Sequence, residues 1–276
     1  MSPVSRGRKG KSKAKKSGSE RVIFGAPEPC GCVACTGDVS GLIDDTMVAA
    51  ADVLECDALE AELFGADIMA LFAEGDFTDL IVESLVPGIE ARSGAAAVAA
   101  LSALGSVSDD PVASVARAAA DRLTAAGAAA PGWEGELSQA ISMTESLELS
   151  NAELTVLVAT FQRADRRHTF VISVDPANCG EAAAIYLAEP EQLPELLAAL
   201  DAGDFVNRRE VDPAEFRWLA EAALDARAVH DEEEDAPPAS EEDEFPVIAV
   251  LVRARLRDLP LSIKPKPEHG EVVHMP

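Results

Sequence analysis

The body of this chain has no lysine. All seven lysines lie at positions 9–16, 264 and 266, and none occurs from Ser17 to Ile263. That excludes from the body a Schiff-base or pyridoxal lysine and the lysine of a Walker phosphate loop. The patterns G-x-G-x-x-G after a strand, G-x-S-x-G and H-E-x-x-H are absent as well. Aromatic residues are scarce, at 4% (nine Phe, two Trp, one Tyr), while 48% of the 276 residues are hydrophobic. The core must therefore be built from Ala, Leu and Val, which suits closely packed helices better than an aromatic-rich sandwich. No apolar run reaches the roughly 18 residues of a membrane span; the best, Gly94–Val107, is 14 long and Ala-rich. The basic N-terminus is followed by no apolar stretch, so it does not read as a signal peptide. Five cysteines, an odd number with three crowded into residues 30–35, argue against a secreted disulfide scaffold and for a reducing cytoplasm.

Charge is distributed unevenly. The formal net charge is −26, yet residues 1–21 carry eight Lys and Arg against a single acid, Glu20. The rest of the chain holds 15 bases and 48 acids, a net of −33. Such a body repels phosphate and is a poor nucleic-acid or membrane surface. Only the basic segment, through Arg6, Arg8, Lys9, Lys11, Lys13, Lys15 and Lys16, has the charge to contact nucleic acid or another anion. It has no apolar periodicity and reads as disordered, most simply a self-neutralising tail. A second charged run, 231–244, contains nine acids, two prolines and nothing apolar larger than Ala, and reads as a disordered acidic loop.

Between these runs the pattern is helical from about Asp44 to Ala130. Leu54, Leu59, Leu63, Ile68, Leu71 and Phe72 recur near three- and four-residue spacing. A further helix is expected from Thr78, kinked or split at Pro87-Gly88. The Ala95–Leu104 stretch follows, and then a helix with Asp109-Asp110-Pro111 as cap and first turn, ended by Gly127. The Asp-Asp-Pro helix pair resembles one HEAT-type repeat. From Trp133 the period shortens. Ile141–Leu149, Leu154–Phe161 and His168–Asp175 read as strands of an antiparallel meander, and Asp175–Gly180 as a turn. A helix after Pro190, a short strand near Phe205–Val211, and a helix capped by Asp212 with Pro213 at its first position complete the central part. In that last helix Phe216, Leu219, Ala220, Ala223 and Leu224 share a face. Phe245–Leu259 is expected to be helical with Val247, Val250, Leu251 and Ala254 inward. Arg253, Arg255 and Arg257 are explained there by the helix dipole and the acidic run before it. The fold class is therefore α+β, an Ala/Leu-rich helical layer on a small, mainly antiparallel sheet closed by C-terminal helices. Its divisions are residues 1–21, 22–40, 41–130 and 131–260, with a loose tail at 261–276.

From about Ala61 onward this order also resembles a family of high-GC bacterial proteins of no established activity. The resemblance is carried by Pro131-Gly132-Trp133 closing the helical part and by a strand opening at His168 and closing at Asp175. The Asp212-Pro213-Ala214-Glu215 helix start, an acidic proline-containing insertion, and Ala254-Arg255-Leu256-Arg257-Asp258-Leu259-Pro260 complete it. It would cover about three quarters of the chain and implies a soluble intracellular protein with an α+β core. Where that family reads Asp-His-Asn in the turn, this chain has Asp175-Pro176-Ala177-Asn178, so chemistry resting on that histidine is not carried over.

Three constellations could carry chemistry. Cys30-Gly31-Cys32-Val33-Ala34-Cys35 combines C-x-C with C-x-x-C, and small intervening residues let three thiolates converge; Cys56 is the natural fourth ligand for a tetrahedral zinc, with Asp38 a poorer one. The cluster resembles the C-x-C opening of SEC-C zinc motifs but lacks their Gly-Ser-Gly-Lys continuation and closing Cys or His. Unligated thiols are the competing reading. His168, Asp175 and Cys179 have the composition of a nucleophilic hydrolase. Seven residues along one strand, however, put His168 and Asp175 on opposite faces and about 23 Å apart. An edge-strand histidine, a turn aspartate and a buried thiol explain them without catalysis. Asp44, Asp45, Asp52, Glu55 and Asp57 could approach a divalent cation but form no EF-hand loop, and a solvated helix face accounts for them. Trp133 and Trp218 are expected to fill gaps in the Ala-rich core.

The sequence thus favours a non-enzymatic interaction or accessory protein of the cytoplasm, with a protein partner. The runner-up is a zinc-stabilised, nucleic-acid-associated protein contacting phosphate through residues 6–21. A cysteine-dependent hydrolase centred on Cys179 and His168 comes third.

Overall fold

The computed structural model describes residues 38–73, 75–189, 191–201, 205–233 and 244–265. The chain divides into two units, Met1–Asp38 and Val39–Pro276, and every helix and strand among the described residues belongs to the second. The basic segment and Cys30, Cys32 and Cys35 lie outside the described residues.

The helical layer begins with α1 (Ser40–Asp52), followed by a 3₁₀ turn, Val53–Glu55. Asp57 then caps α2 (Ala58–Ala70): its carboxylate accepts from the Leu59 and Glu60 amides, and the Glu60 side chain accepts from the Asp57 amide. This reciprocal capping box satisfies donors that a helix start otherwise leaves open. The helix expected from Thr78 is α3 (Thr78–Leu80), a π-helical turn Ile81–Leu85, and α4 (Val86–Arg92). Pro87 supplies the cause of the interruption, since it lacks the amide and its ring crowds the carbonyl one turn back. The Ala-rich run forms α5 (Gly94–Val107), buried without interruption from Ala97 to Gly105. It packs against α2 so closely that a Cβ at Gly65 would collide with the Ala103 carbonyl. Helix α6 (Val112–Ala125) buries one face. Pro111 itself, not an aspartate side chain, occupies its N-cap, and the first amide bond runs from Ala113 to the Asp109 carbonyl. At the other end Gly127, at φ +101°, completes a Schellman turn in which the Ala128 amide donates to Leu123 O and Gly127 to Thr124 O.

After a short helix α7 (Glu134–Leu137) come β1 (Ile141–Ser150), β2 (Thr155–Arg163), β3 (Arg166–Asp175) and β4 (Glu181–Ala188). Helix α8 (Leu193–Asp201), β5 (Asn207–Glu210), α9 (Pro213–Glu233) and α10 (Phe245–Arg257) follow. The strand order is β4-β3-β2-β1-β5, and every pairing is antiparallel. Strand β4 is not foreseen from the sequence, because Glu-Ala-Ala-Ala-Ile-Tyr-Leu-Ala carries no clean two-residue alternation. Its presence makes β3 an interior strand, so His168 is not on an edge. A bulge at Thr144, between Met143 (opposite Phe161) and Glu145 (opposite Thr160), changes the register of β1. Ile141 and Met143 consequently pack with the main core, while Leu147 and Leu149 serve the opposite sheet face with Val156, Val158, Val171 and residues of α8.

The main core joins Phe161, Phe170 and Ile172 of the sheet to Phe216 and Leu224 of α9, Leu251 and Leu256 of α10, and Ala66 of α2. Asp212 caps α9 as expected, accepting from the Ala214 and Glu215 amides. The same helix continues through Glu233, so the acidic run opens as helix; residues 234–243 lie outside the described ones. On α10 the buried set is Ile248, Leu251, Val252, Ala254, Arg255 and Leu256, with Val247 and Val250 only half-buried. Trp133 fills the core and donates to the Val53 carbonyl at 2.8 Å. Trp218 is only half-buried; it donates to Pro265 O at 2.8 Å and underlies the Lys264 ammonium at 5.2 Å, which pins the first part of the expected loose tail.

Candidate functional site

The most unusual chemistry sits where α2 and α10 cross the turn end of the β2–β3 hairpin. On β2, Arg163 has the same parity as Phe161; on β3, His168 has the parity of Phe170 and pairs directly with Phe161. All four side chains therefore point to the helical face of the sheet, as the two-residue period of a strand requires. Glu62 descends from α2 and Arg255 from α10, each about 1% exposed. Their contact is bidentate: Arg255 Nη1 donates to Glu62 Oε1 at 2.8 Å and Nη2 to Oε2 at 2.5 Å. This fork is the strongest geometry available to an arginine and a carboxylate. The remaining Nε of Arg255 donates to His168 Nε2 at 3.0 Å. A histidine that accepts at Nε2 is neutral and carries its proton on Nδ1. Burial, and then the positive charges of Arg255 and Arg163, push His168 down to a pKa of about 3. Its ring lies stacked on Phe161 at 6.1 Å and edge-on to Phe170 at 5.4 Å.

Arg163 completes the group. Its Nη2 lies 2.9 Å from Glu62 Oε1, and only 9% of the residue is exposed. Its Nε is buried without a hydrogen-bond partner. One carboxylate thus faces two guanidinium groups and a neutral imidazole, leaving one positive charge in excess. Arg163 also belongs to the walls of two clefts. The smaller, about 310 Å³, is lined by Glu62, His168 and Arg255 with Glu60, Arg166 and Arg167. The larger, about 1020 Å³, runs between the α5–α6 connection, α7 and the start of β1. Acidic residues dominate its walls: Asp109, Asp110, Asp121, Glu134 and Asp258 against Arg117, Arg163 and Arg257. Of the acids only Asp109 forms an ion pair among the described residues, at 2.5 Å to Arg257.

The residues singled out from the sequence fall elsewhere. Cys56 is half-buried, its Sγ 3.1 Å from the Asp57 carbonyl, and burial followed by Glu60 and Asp57 raises its pKa. Its three proposed partners, Cys30, Cys32 and Cys35, lie outside the described residues, as do Arg6, Arg8, Lys9, Lys11, Lys13, Lys15 and Lys16. Among the described residues no group of three or more His, Cys, Asp or Glu is arranged to hold a metal ion. Cys179 is exposed rather than buried, at φ +55° in the β3–β4 turn. Asp175 accepts from the Ala177 amide at 2.8 Å within that turn, at the far end of β3 from His168. His168, Asp175 and Cys179 are not assembled. Asp44 pairs with Arg92, and Asp57 pairs with Arg166 besides capping α2, so these two acids have structural roles. Among the described residues no helix is long and apolar enough to cross a membrane. No protein-family model, curated protein or solved structure matches the chain.

Proposed function

We propose that this chain is a non-enzymatic interaction protein whose larger cleft receives a cationic peptide segment of a partner. The observation that carries this reading is the charge of the cleft: five carboxylates line it, and Asp110, Asp121, Glu134 and Asp258 have no ion pair among the described residues. Carboxylates left unneutralised around a concave surface focus a negative potential and raise the local concentration of cations. The hydroxyls of the cleft add to this. Ser106 and Ser108 each donate to a carbonyl of α5 at 2.7 Å, and Ser138 to Gly135 O at 2.8 Å, so their lone pairs remain as acceptors. The cleft is thus rich in acceptors, and its natural complement is a set of ammonium or guanidinium donors. The net charge of −26 extends the same preference over the chain and favours fast, salt-sensitive association.

The test is fluorescence anisotropy of a labelled oligo-arginine peptide titrated with the full chain. Binding should weaken about tenfold when Asp110, Asp121 and Asp258 are replaced together by Asn, and should fall with added salt. Equal binding by the triple variant would refute the cleft as the receptor.

A further inference from the structure

We infer that the cleft captures the free C-terminal carboxylate of a basic peptide at Arg163. The inference rests on the proposed binding of a cationic segment and adds to it an anchoring point and a polarity of binding. Its first support is the charge imbalance of the buried group: Glu62 meets two guanidinium groups while His168 is held neutral beside them. A buried charge without its counterion is costly, and one further carboxylate would restore neutrality. The second support is independent of charge. Arg163 is one of two side chains among the described residues with a buried polar atom that lacks a hydrogen-bond partner, and it is the one that forms a cleft wall. The other, Thr46, is a buried residue of α1 and lines neither of the clefts that Arg163 lines.

The remaining walls say what must be attached to that carboxylate. A polyanion such as nucleic acid would meet five carboxylates and be repelled, whereas a single anion followed by cations is matched along its length. Arg117, from α6, lines the same cleft and forms no ion pair among the described residues. Size separates a peptide from a free amino acid. At about 1020 Å³ the cleft stands at the top of the roughly 300–1,000 Å³ range of ligand sites, room for several residues of chain. Capture of a terminal carboxylate is itself an established mode of peptide recognition.

Three dansylated peptides test this on the full-length protein by fluorescence anisotropy: Gly-Ala-Arg-Arg as the free acid, the same sequence as C-terminal amide, and Gly-Ala-Ala-Ala as the free acid. The arginine acid should bind at least tenfold more tightly than its amide. Arg163→Met should reduce the acid to the affinity of the amide and leave the amide unchanged, while Arg163→Lys, which keeps a cation beside Glu62, should retain part of the difference. Equal binding of acid and amide by the wild-type protein overturns the carboxylate site and leaves the cationic reading standing. Equal binding of the arginine and alanine acids overturns the cationic reading, and no binding of any peptide overturns both. If Arg163→Met does not fold, the acid–amide comparison on the wild-type chain decides alone.

Discussion

Two charge networks in this molecule are built from the same groups and differ in their surroundings. At the hairpin end, Glu62 binds Arg255 and Arg163 with side chains 10% exposed or less. At the β5 edge of the sheet, Arg209 meets Glu148 of β1 at 2.5 Å and Glu215 of α9 at 2.9 Å, and Lys264 joins Glu215 at 2.7 Å, with Arg209 and Lys264 nearly half exposed. Hydrogen bonds from Arg209 and then Lys264 hold the Glu215 carboxyl at a pKa of about 2. Water still screens it, and an exposed pair contributes about 0–1 kcal/mol. The inner network is dry. Its members lost their hydration on folding, so removing one strands the others without either water or a partner. Surroundings, more than the number of contacts, decide how much each network matters.

The largest expected effect follows from that contrast. Glu62→Ala leaves Arg255 and Arg163 facing one another and should cost about 3–5 kcal/mol in urea unfolding. The triple variant Glu62→Leu/Arg163→Met/Arg255→Met, which removes all three charges together, should recover most of the loss. A loss below about 1 kcal/mol in the single variant would erase the distinction between the networks. Next in size is a pH effect. The unfolded chain protonates His168 near 6.5, the folded chain only near 3. Between those values the unfolded state binds the extra proton, so stability rises with pH and is lost as pH falls below about 6.5. From pH 7.5 to 5 that loss is about 2 kcal/mol for this one group. Urea midpoints at the two pH values should differ by correspondingly less in His168→Gln, and an unchanged difference would show that His168 is not the group responsible. The smallest effect belongs to the outer network: Glu215→Gln should cost less than about 1 kcal/mol at low salt and close to nothing in 1 M NaCl. A cost comparable to that of Glu62→Ala would reverse the ranking.

Much of this architecture is legible in the residues, and the exceptions have physical causes. Asp212-Pro213, Gly127 and the β-branched runs of β2 and β3 act locally, through capping, a left-handed turn and strand alternation, so they announce themselves in a single sequence. Strand β4 does not, because its Ala-rich segment draws its conformation from pairing with β3 and packing under α9 and α10. Arg255, taken from the sequence as serving the helix dipole, is instead a buried ion-pair partner. Its spacing held the signal: it lies at i+7, i+4 and i+3 from Ile248, Leu251 and Val252, inside the apolar stripe and not beside it. Glu62 likewise shares a face of α2 with Ala58 and Ala66. A charged residue within an apolar stripe on each of two helices asks for a partner, yet at 193 positions apart nothing local shows that each answers the other. The cleft is invisible in the sequence for the same reason, since its walls come from the α5–α6 turn, α7, β1 and α10.

The separation of Glu62 and Arg255 also sets an order of events during biosynthesis. At about 5–20 residues per second, roughly 10 to 40 seconds pass between the addition of Glu62 and that of its partner arginine. Through that interval the nascent helical layer can assemble by its own local contacts, but α2 holds a carboxylate that belongs in the interior and has no counterion there. The sheet arrives first and offers Arg163; only α10 brings the second guanidinium. Closure of this fold is thereby tied to the synthesis of α10, and a chain stopped before Phe245 would emerge with its central layer unlatched.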